Sequence, residues 1–341
     1  MRHYQLLFKR ITPTLSSSSI RRSFSVSAAA AAAQKVERPR RSLFSVPGSD
    51  ERKIQKATGL NADAVVLDLE DGVALDRKED ARELVVQTLR QVETGDLSFG
   101  TSELCVRINA LETGSLAFED LQAILPCPSL QTIVLPKVEL PSDVDFVRRL
   151  VEMIPPDNQE ETRDLRIIAA IESAKGMLNL REIAETTNQQ SSSSLDALVF
   201  ASEDYCADLE LIRTTAAIEL LMARSQLVTT AKAYGLQAID MVHIDFRNME
   251  ALQEECTRGV EMGFTGKQAI HPAQLDTIHQ TFCPSAKDLE FAQACVTQYE
   301  STTAAGKGAV EVHGIVVDAP VYKWALKIVR RAEQAGMIQT I

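Results

Sequence analysis

From Arg41 onward the sequence repeats one unit: a short β-branched apolar run, a turn that carries charge, and a segment of helical periodicity. Eight such units predict an α/β fold, a (β/α)8 TIM barrel, which typically takes about 250 residues. The alternative is an open doubly wound sheet, but no glycine-rich turn of the dinucleotide type follows the first run. The predicted strands are Ser42–Val46, Ala64–Leu69, Leu104–Ile108, Thr132–Leu135, Ile167–Ile171, Ala197–Phe200, Gln237–Val242 and Gly263–Lys267.

The segments between these strands include the predicted helices Arg77–Leu89, Asp143–Met153, Met177–Thr187, Thr215–Tyr234 and Met249–Met262, with a polar loop at Gln189–Ser194. After His271-Pro272 the pattern changes to a helix near 285–300, a short strand over 310–317 and a final helix near 320–335. We therefore expect a catalytic barrel domain over residues 37–283. Residues 284–341 would form a C-terminal helical lid and oligomerisation arm.

The first 36 residues have the composition of a targeting segment. They contain six basic and no acidic residues, a serine run at Ser16–Ser19 and an alanine run that ends at Ala33. Arginine-rich, serine-rich and acid-poor composition is typical of a mitochondrial transit peptide, and Arg21-Arg22-Ser23-Phe24-Ser25 resembles a processing site in the mitochondrial matrix. The alternative is a disordered N-terminal tail that carries no targeting signal. The six cysteines show no CxxC pair, which favours reduced thiols and fits a matrix protein.

The charge of the chain excludes one class of partner. The net charge is −11, and without the six basic residues of the first segment it becomes −17, with 30 bases against 47 acids. A body this acidic repels a phosphate backbone, so we expect no nucleic-acid partner. Every long apolar run is interrupted by charge, so we expect no membrane span either.

Nearly every predicted strand ends in an ionisable side chain. In a TIM barrel these ends share one rim, where catalytic residues collect. A single acidic residue there has a structural explanation, because a carboxylate near a helix start stabilises the helix dipole. The rim residues are Asp68, Glu70, Asp71, Arg107, Lys137, Glu139, Glu172, Glu203, Asp204, His243, Asp245, Lys267 and His271.

Two of these acidic residues follow adjacent buried strands and are candidates for a metal site. Glu172 comes directly after the apolar run Ile167–Ile171, and Asp204 follows the next run. Mg2+ commonly takes one or two carboxylates together with water and substrate oxygens. Arg107, on a third strand end, has the planar fork that grips a substrate carboxylate or an oxyanion.

Several short motifs, in order, resemble one family. They are Ser45-Val46-Pro47-Gly48-Ser49-Asp50, Asp68-Leu69-Glu70-Asp71-Gly72-Val73, Val106-Arg107-Ile108-Asn109, Leu135-Pro136-Lys137-Val138-Glu139, Ile171-Glu172-Ser173-Ala174, Glu203-Asp204, Gly266-Lys267-Gln268-Ala269-Ile270-His271-Pro272 and the stretch Gly314–Pro320. Together they are similar to the citrate lyase β-subunit and malyl-CoA lyase family of CoA-dependent aldolase-type barrels, over about residues 41–327. The resemblance implies Mg2+-dependent cleavage or formation of a carbon–carbon bond between an acyl-CoA enolate and an α-keto acid.

The resemblance also implies roles for individual residues. Glu172 and Asp204 would hold Mg2+, and Arg107 would contact the keto-acid or enolate oxygens. Asp318 would be the catalytic acid on a lid delivered by a neighbouring subunit, so we expect a homotrimer or homohexamer. The remaining substrate and CoA contacts would come from Ser45, Arg52, Lys56, Glu70, Asp71, Gly72, Ile270 and His271.

Two of these positions depart from the family pattern. Ser45 stands where relatives carry a tyrosine, and Arg52 replaces a lysine, so the choice of acyl-CoA is less constrained than the chemistry. Two other positions have a structural alternative, because Asp318 and His271 each precede a proline at a helix start.

Three rival functions remain open at this point. The first is a citrate lyase β subunit that acts on an acyl-carrier thioester within a larger complex, which the targeting segment disfavours. The second is a pyruvate aldolase independent of CoA, which the basic Arg52/Lys56 helix disfavours. The third is a non-catalytic binding protein on a barrel scaffold, which the intact set of acidic residues and Arg107 disfavours.

Overall fold

The structure, a computed structural model, describes residues 38–157, 164–188, 193–304, 306 and 308–338. The predicted transit peptide, residues 1–36, lies outside the described residues. The strands are β1 (Ser42–Pro47), β2 (Ala64–Asp68), β3 (Glu103–Arg107), β4 (Thr132–Leu135), β5 (Leu165–Ile171), β6 (Ser193–Phe200), β7 (Gln237–Asp240), β8 (Gly266–Ala269), β9 (Val310–Val312) and β10 (Ile315–Val317). The helices are α1 (Glu51–Ala57), α2 (Lys78–Thr94), α3 (Ser115–Ile124), α4 (Pro141–Met153), α5 (Ala174–Leu178), α6 (Leu180–Glu185), α7 (Ser202–Asp208), α8 (Leu221–Ala233), α9 (Met249–Met262), α10 (Leu275–Phe282), α11 (Ala286–Ala304) and α12 (Ala319–Gln334).

Strands β1 to β8 of this described part close into a parallel barrel in sequence order, so the predicted TIM barrel is confirmed. The barrel closes where Leu43 of β1 pairs with Gln268 of β8. Strand β6 begins earlier than predicted, because Ser193 pairs with Leu165 of β5 and draws part of the predicted polar loop into the sheet.

Three other sequence predictions need correction. Strand β8 begins at Gly266 rather than at Gly263, because Gly263 ends α9 in the left-handed conformation, with φ 97°. The helix predicted over Met177–Thr187 is divided at Asn179, whose side chain donates to the carbonyl of Glu139. The single strand predicted over 310–317 is the hairpin β9–β10, because His313 and Gly314 both adopt positive φ and reverse the chain.

The C-terminal arm has its own small core. Strands β9 and β10 and helices α11 and α12 bury Ala292, Cys295, Val312, Val317 and Ala325 together. In the part of the chain that the structure describes, no helix combines the length and the apolar character needed to cross a membrane.

The barrel interior is apolar in the middle and charged at its N-terminal end. The middle layer consists of the inward-facing residues Leu43, Ala64, Val66, Cys105, Val134, Ile168, Ala170, Ala197, Val199 and Ile239. Below this layer, Arg40 donates to Glu103 at 2.5 and 2.8 Å and to Asp196 at 2.5 Å, and Asp196 also accepts from Arg166 at 3.2 Å. The ion pairs close this end, which leaves the opposite rim for chemistry.

Replacing Arg40 with alanine should destabilise the protein by about 1.5–3 kcal/mol, because Glu103 and Asp196 lose the buried cation they share and keep only Arg38 and Arg166 as partners. Arg90 pairs with Glu93 and Asp157 on the surface, so Arg90→Ala should cost less than about 1 kcal/mol. Urea unfolding followed by circular dichroism measures both values. Similar losses in the two variants would contradict the structural role given to Arg40.

Candidate active site

Two carboxylates lie side by side at the C-terminal rim. Glu172 follows β5 directly, is 4% exposed, and its Oε2 has no hydrogen-bond partner among the residues that the structure describes. Asp204 is half-buried in the first turn of α7, just after β6. Since Ile171 and Phe200 pair in the sheet, the two strands deliver both acidic residues to neighbouring positions of the rim.

The electrostatics of Glu172 fit a cation site. Burial, together with the negative charges of Glu70 and Asp204, raises the pKa of Glu172 to about 8, although Lys137 opposes the shift. A buried carboxyl group without a counter-charge is costly, so this position favours either a proton or a positive ion.

The ligand set also fits Mg2+ rather than a metal that needs a full protein cage. Among the described residues, no group of three or more His, Cys, Asp or Glu side chains has the spacing of a complete metal site. Mg2+ needs only one or two carboxylates, with water and substrate oxygens filling the other positions. Glu172 and Asp204 are the candidates for those two carboxylates.

Arg107, at the end of β3 on the same rim, is fixed by Asp68. Its Nε and Nη2 donate to the two carboxylate oxygens of Asp68 at 2.6 and 2.7 Å. Its Nη1 lies 3.0 Å from Oε2 of Glu70 and 3.7 Å from Asp71, which is exposed. Because Asp68 takes Nε and Nη2, Nη1 is the nitrogen of the guanidinium left to be shared between Glu70 and a substrate oxygen.

The backbone after β2 completes the hold on Asp68. The amides of Glu70 and Gly72 donate to Oδ1 and Oδ2 of Asp68, each at 2.9 Å. A Cβ at position 72 would lie 2.5 Å from Oδ2, so only glycine allows this approach. Glu70 and Gly72, two of the predicted substrate contacts, thus use their amides to orient the partner of Arg107, and their substrate role stays a prediction.

Lys137 is the second cation of the rim. Its Nζ donates to Glu70 at 2.8 Å, and its backbone amide hydrogen-bonds Glu172. Lys137 has φ 50°, an unfavourable value for a residue with a side chain, and such strain is often found at functional sites. Sequence reasoning placed Asp68 and Lys137 on the rim but gave them no role. Their position directly after β2 and β4 was the available signal.

The predicted contacts Ser45, Arg52 and Lys56 lie on β1 and α1, the first strand and the first helix of the barrel. Arg52 and Lys56 are exposed on one face of α1, four residues apart. Ser45 lies two residues beyond Leu43, which faces the barrel interior, so Ser45 points inward as well. Since β8 pairs with β1, the loop after β8 is next to this region.

That loop carries the two predicted substrate-site residues. Ile270 is 46% exposed, and His271 stacks on Phe246 with ring centroids 4.5 Å apart. Nδ1 of His271 accepts from the amide of Ala273, so His271 also caps the short helical turn that follows. The capping alternative and the substrate role are compatible, because one ring nitrogen is outside the cap.

Asp318 is remote from the set just described. It is exposed at the N-terminus of α12, where its side chain accepts from the amide of Val321 at 3.3 Å. Within the described residues, no hydrogen bond or ion pair joins Asp318 to the rim of its own barrel. The helix cap is therefore present, and the catalytic role on a neighbouring subunit stays a prediction.

The comparisons with known proteins agree with this architecture. The family model HpcH/HpaI aldolase/citrate lyase matches residues 41–272, and the chain belongs to this family. It is 38% identical to the human protein named "Citramalyl-CoA lyase, mitochondrial", over 86% of each chain. It is 32% identical to citrate lyase subunit beta of Escherichia coli, over 89% of this chain and 97% of that one.

A solved structure gives the same fold. Protein CitE from Mycobacterium tuberculosis, in complex with magnesium, acetoacetate and coenzyme A, matches with a TM-score of 0.64 and 27% identity. The match covers 85% of this chain and 97% of that one.

Replacing Glu172 with glutamine should stabilise the metal-free protein at alkaline pH. Because folding raises the pKa of Glu172 from 4.5 to about 8, the folded state holds the proton more tightly and loses stability as pH rises through that window. Relative to Glu172→Gln, the free energy of unfolding of the wild type should fall by up to about 1.4 kcal/mol for each pH unit of increase. Urea unfolding in EDTA at pH 5 and pH 8 measures the difference.

The matched control is Glu182→Gln, which removes an exposed carboxylate on α6. Its stability relative to the wild type should change little with pH. A Glu172→Gln difference that is equally flat would contradict the buried, uncompensated carboxylate.

Proposed function

We propose that the protein is a Mg2+-dependent carbon–carbon lyase that cleaves a β-hydroxyacyl-CoA, such as citramalyl-CoA or malyl-CoA, into acetyl-CoA and pyruvate or glyoxylate. The observation that carries the proposal is the buried carboxylate of Glu172, close enough to Asp204 to feel its charge, on the same rim as an Arg107 that is fixed by Asp68. The human relative named citramalyl-CoA lyase and the CitE complex with magnesium and coenzyme A support the same chemistry.

In this proposal Glu172 and Asp204 hold the metal. Bound Mg2+ supplies Lewis acidity toward the hydroxyl and carboxylate oxygens of the substrate. Arg107 faces the oxygen on which negative charge develops, and its two hydrogen bonds to Asp68 fix it there before the reaction begins.

Cleavage breaks the bond between the hydroxyl-bearing carbon and the α-carbon of the thioester. The hydroxyl gives its proton to a water molecule and becomes the keto group, while the bonding electron pair stays on the thioester fragment as an enolate; solvent keeps Asp318 protonated, so the proton released from oxygen balances the one added to carbon. Asp318 then gives a proton to the former α-carbon and forms the methyl group of acetyl-CoA; in the reverse direction the same carboxylate removes it.

Asp318 would reach the rim of a neighbouring subunit. Its exposure, and the exposed Ile315, Val316 and Trp324 around it, favour an arm that packs on another copy of the chain. A lid that acts across an interface requires at least a dimer, and the family resemblance favours a homotrimer or a homohexamer. The arm, residues 284–341, is then both lid and oligomerisation element.

We also place the protein in the mitochondrial matrix. The basic, acid-free segment 1–36 and the mitochondrial location in the name of the human relative support this location. All six cysteines are free thiols, as in a reducing compartment.

A panel of purified acyl-CoA thioesters, assayed for keto-acid release with Mg2+ and with EDTA, tests the reaction. Citramalyl-CoA and malyl-CoA should be cleaved only with Mg2+, whereas Glu172→Ala and Asp204→Ala should lose at least about 100-fold in kcat/KM while remaining folded. Full activity in either variant would contradict the metal assignment. Cleavage of citryl thioesters alone would favour the citrate lyase alternative.

Mixing two inactive variants tests delivery of Asp318 between subunits. Glu172→Ala and Asp318→Ala should each be inactive, yet coexpression in equal amounts should restore about a quarter of wild-type activity, since each site needs one intact rim and one intact neighbouring arm. The double variant Glu172→Ala/Asp318→Ala, coexpressed with itself, is the control. No recovery in the mixture would place Asp318 outside catalysis or within its own subunit.

A further inference from the structure

Arg213, in the loop after α7, bridges two elements of the rim. Its Nη1 donates to the hydroxyl of Ser202 at 3.1 Å and pairs with Glu203, both in the first turn of α7. Its Nη2 donates to the carbonyl of Val242, just after β7, at 2.8 Å. One planar side chain therefore ties the turn that carries Asp204 to the end of the neighbouring strand.

The far side of Arg213 is fixed by a buried carboxylate. Glu255, on α9, lies 3.5 Å from Nη2 of Arg213 and accepts from Nζ of Lys267 at 2.5 Å. Lys267 is fully buried in β8 and also donates to the carbonyl of Met241 at 2.7 Å. Nδ1 of His243 lies 3.1 Å from the other oxygen of Glu255. Strands β7 and β8 and helix α9 thus form a rigid base for the arginine.

We infer that Arg213 is a positioning residue for metal binding, which holds the first turn of α7 so that Asp204 stays beside Glu172. The inference rests on the proposed function, because it assigns Arg213 to the metal site proposed there. Geometry as well as charge is required: the two nitrogens of the guanidinium serve α7 and β7 at once, and a lysine ammonium is a single point that cannot span both.

The test is calorimetric titration of the metal-free protein with MgCl2, which needs no substrate or turnover. Arg213→Lys keeps the charge and should weaken Mg2+ binding by about 10- to 100-fold, the usual effect of losing a partner that orients a metal ligand. Urea unfolding in EDTA, measured in parallel, separates lost positioning from lost folding.

Arg82→Lys is the matched control. Arg82 is as buried as Arg213, with 14% against 15% of its side chain exposed, and it pairs with the buried Asp120 between α2 and α3, away from α7. Its Mg2+ affinity should equal that of the wild type. Wild-type affinity in Arg213→Lys, or an equal loss in both variants, would overturn the inference.

Two more variants keep the outcome decisive. Ser202→Ala is the substitute if Arg213→Lys does not fold, because it removes one acceptor of Arg213 on α7. This variant should also weaken Mg2+ binding, by a smaller factor. Unchanged Mg2+ affinity in Ser202→Ala would overturn the inference. Glu172→Ala should abolish the binding heat. If it binds as the wild type does, the metal site of the proposed function is wrong, which is a different failure from that of Arg213.

Discussion

Closure of eight parallel strands into a barrel brings every strand end to one rim, and the charges of that rim have to be balanced within a small space. Hydrogen bonds between neighbouring strands fix the order of the side chains around the ring. Residues far apart in the sequence, such as Asp68 and Arg107, therefore become direct partners. The site is a consequence of this closure more than of any single motif.

The charged side chains are paired to different extents at the two ends of the barrel. At the N-terminal end, Arg40 has a carboxylate for each side of its guanidinium, and the cluster is buried and paired. At the rim, Asp68 is paired with Arg107, and Glu70 is shared by Arg107 and Lys137, but one oxygen of Glu172 has no hydrogen-bond partner in the described part of the chain. The contrast separates a structural ion-pair cluster from a site that is complete only with a ligand.

The sequence was sufficient for the barrel and for the residues on its rim, because both follow from local signals. Apolar runs of β-branched residues indicate buried strands, and the first charged residue after each run indicates the rim. Which rim residues pair with one another could not be predicted in this way. That Asp68 takes two donors of Arg107, or that Lys137 adopts positive φ, depends on pairings between strands that no local pattern records.

The C-terminal arm was the hardest part to predict. The run Val310–Val317 is apolar enough for one strand, and only the positive φ of His313 and Gly314 makes it a hairpin. Asp318 then stands at a helix start, where capping and catalysis require the same residue type.

The closed N-terminal end of the barrel also restricts where substrate can enter and where products can leave. In the described residues, apolar side chains and the ion pairs of Arg40 fill the interior of the barrel. The thioester substrate and both products must therefore enter and leave at the C-terminal rim. If the C-terminal arm acts as the proposed lid, it has to open once in every catalytic cycle, and the product that leaves last delays binding of the next thioester. The rate of opening can then limit turnover even where bond cleavage is fast.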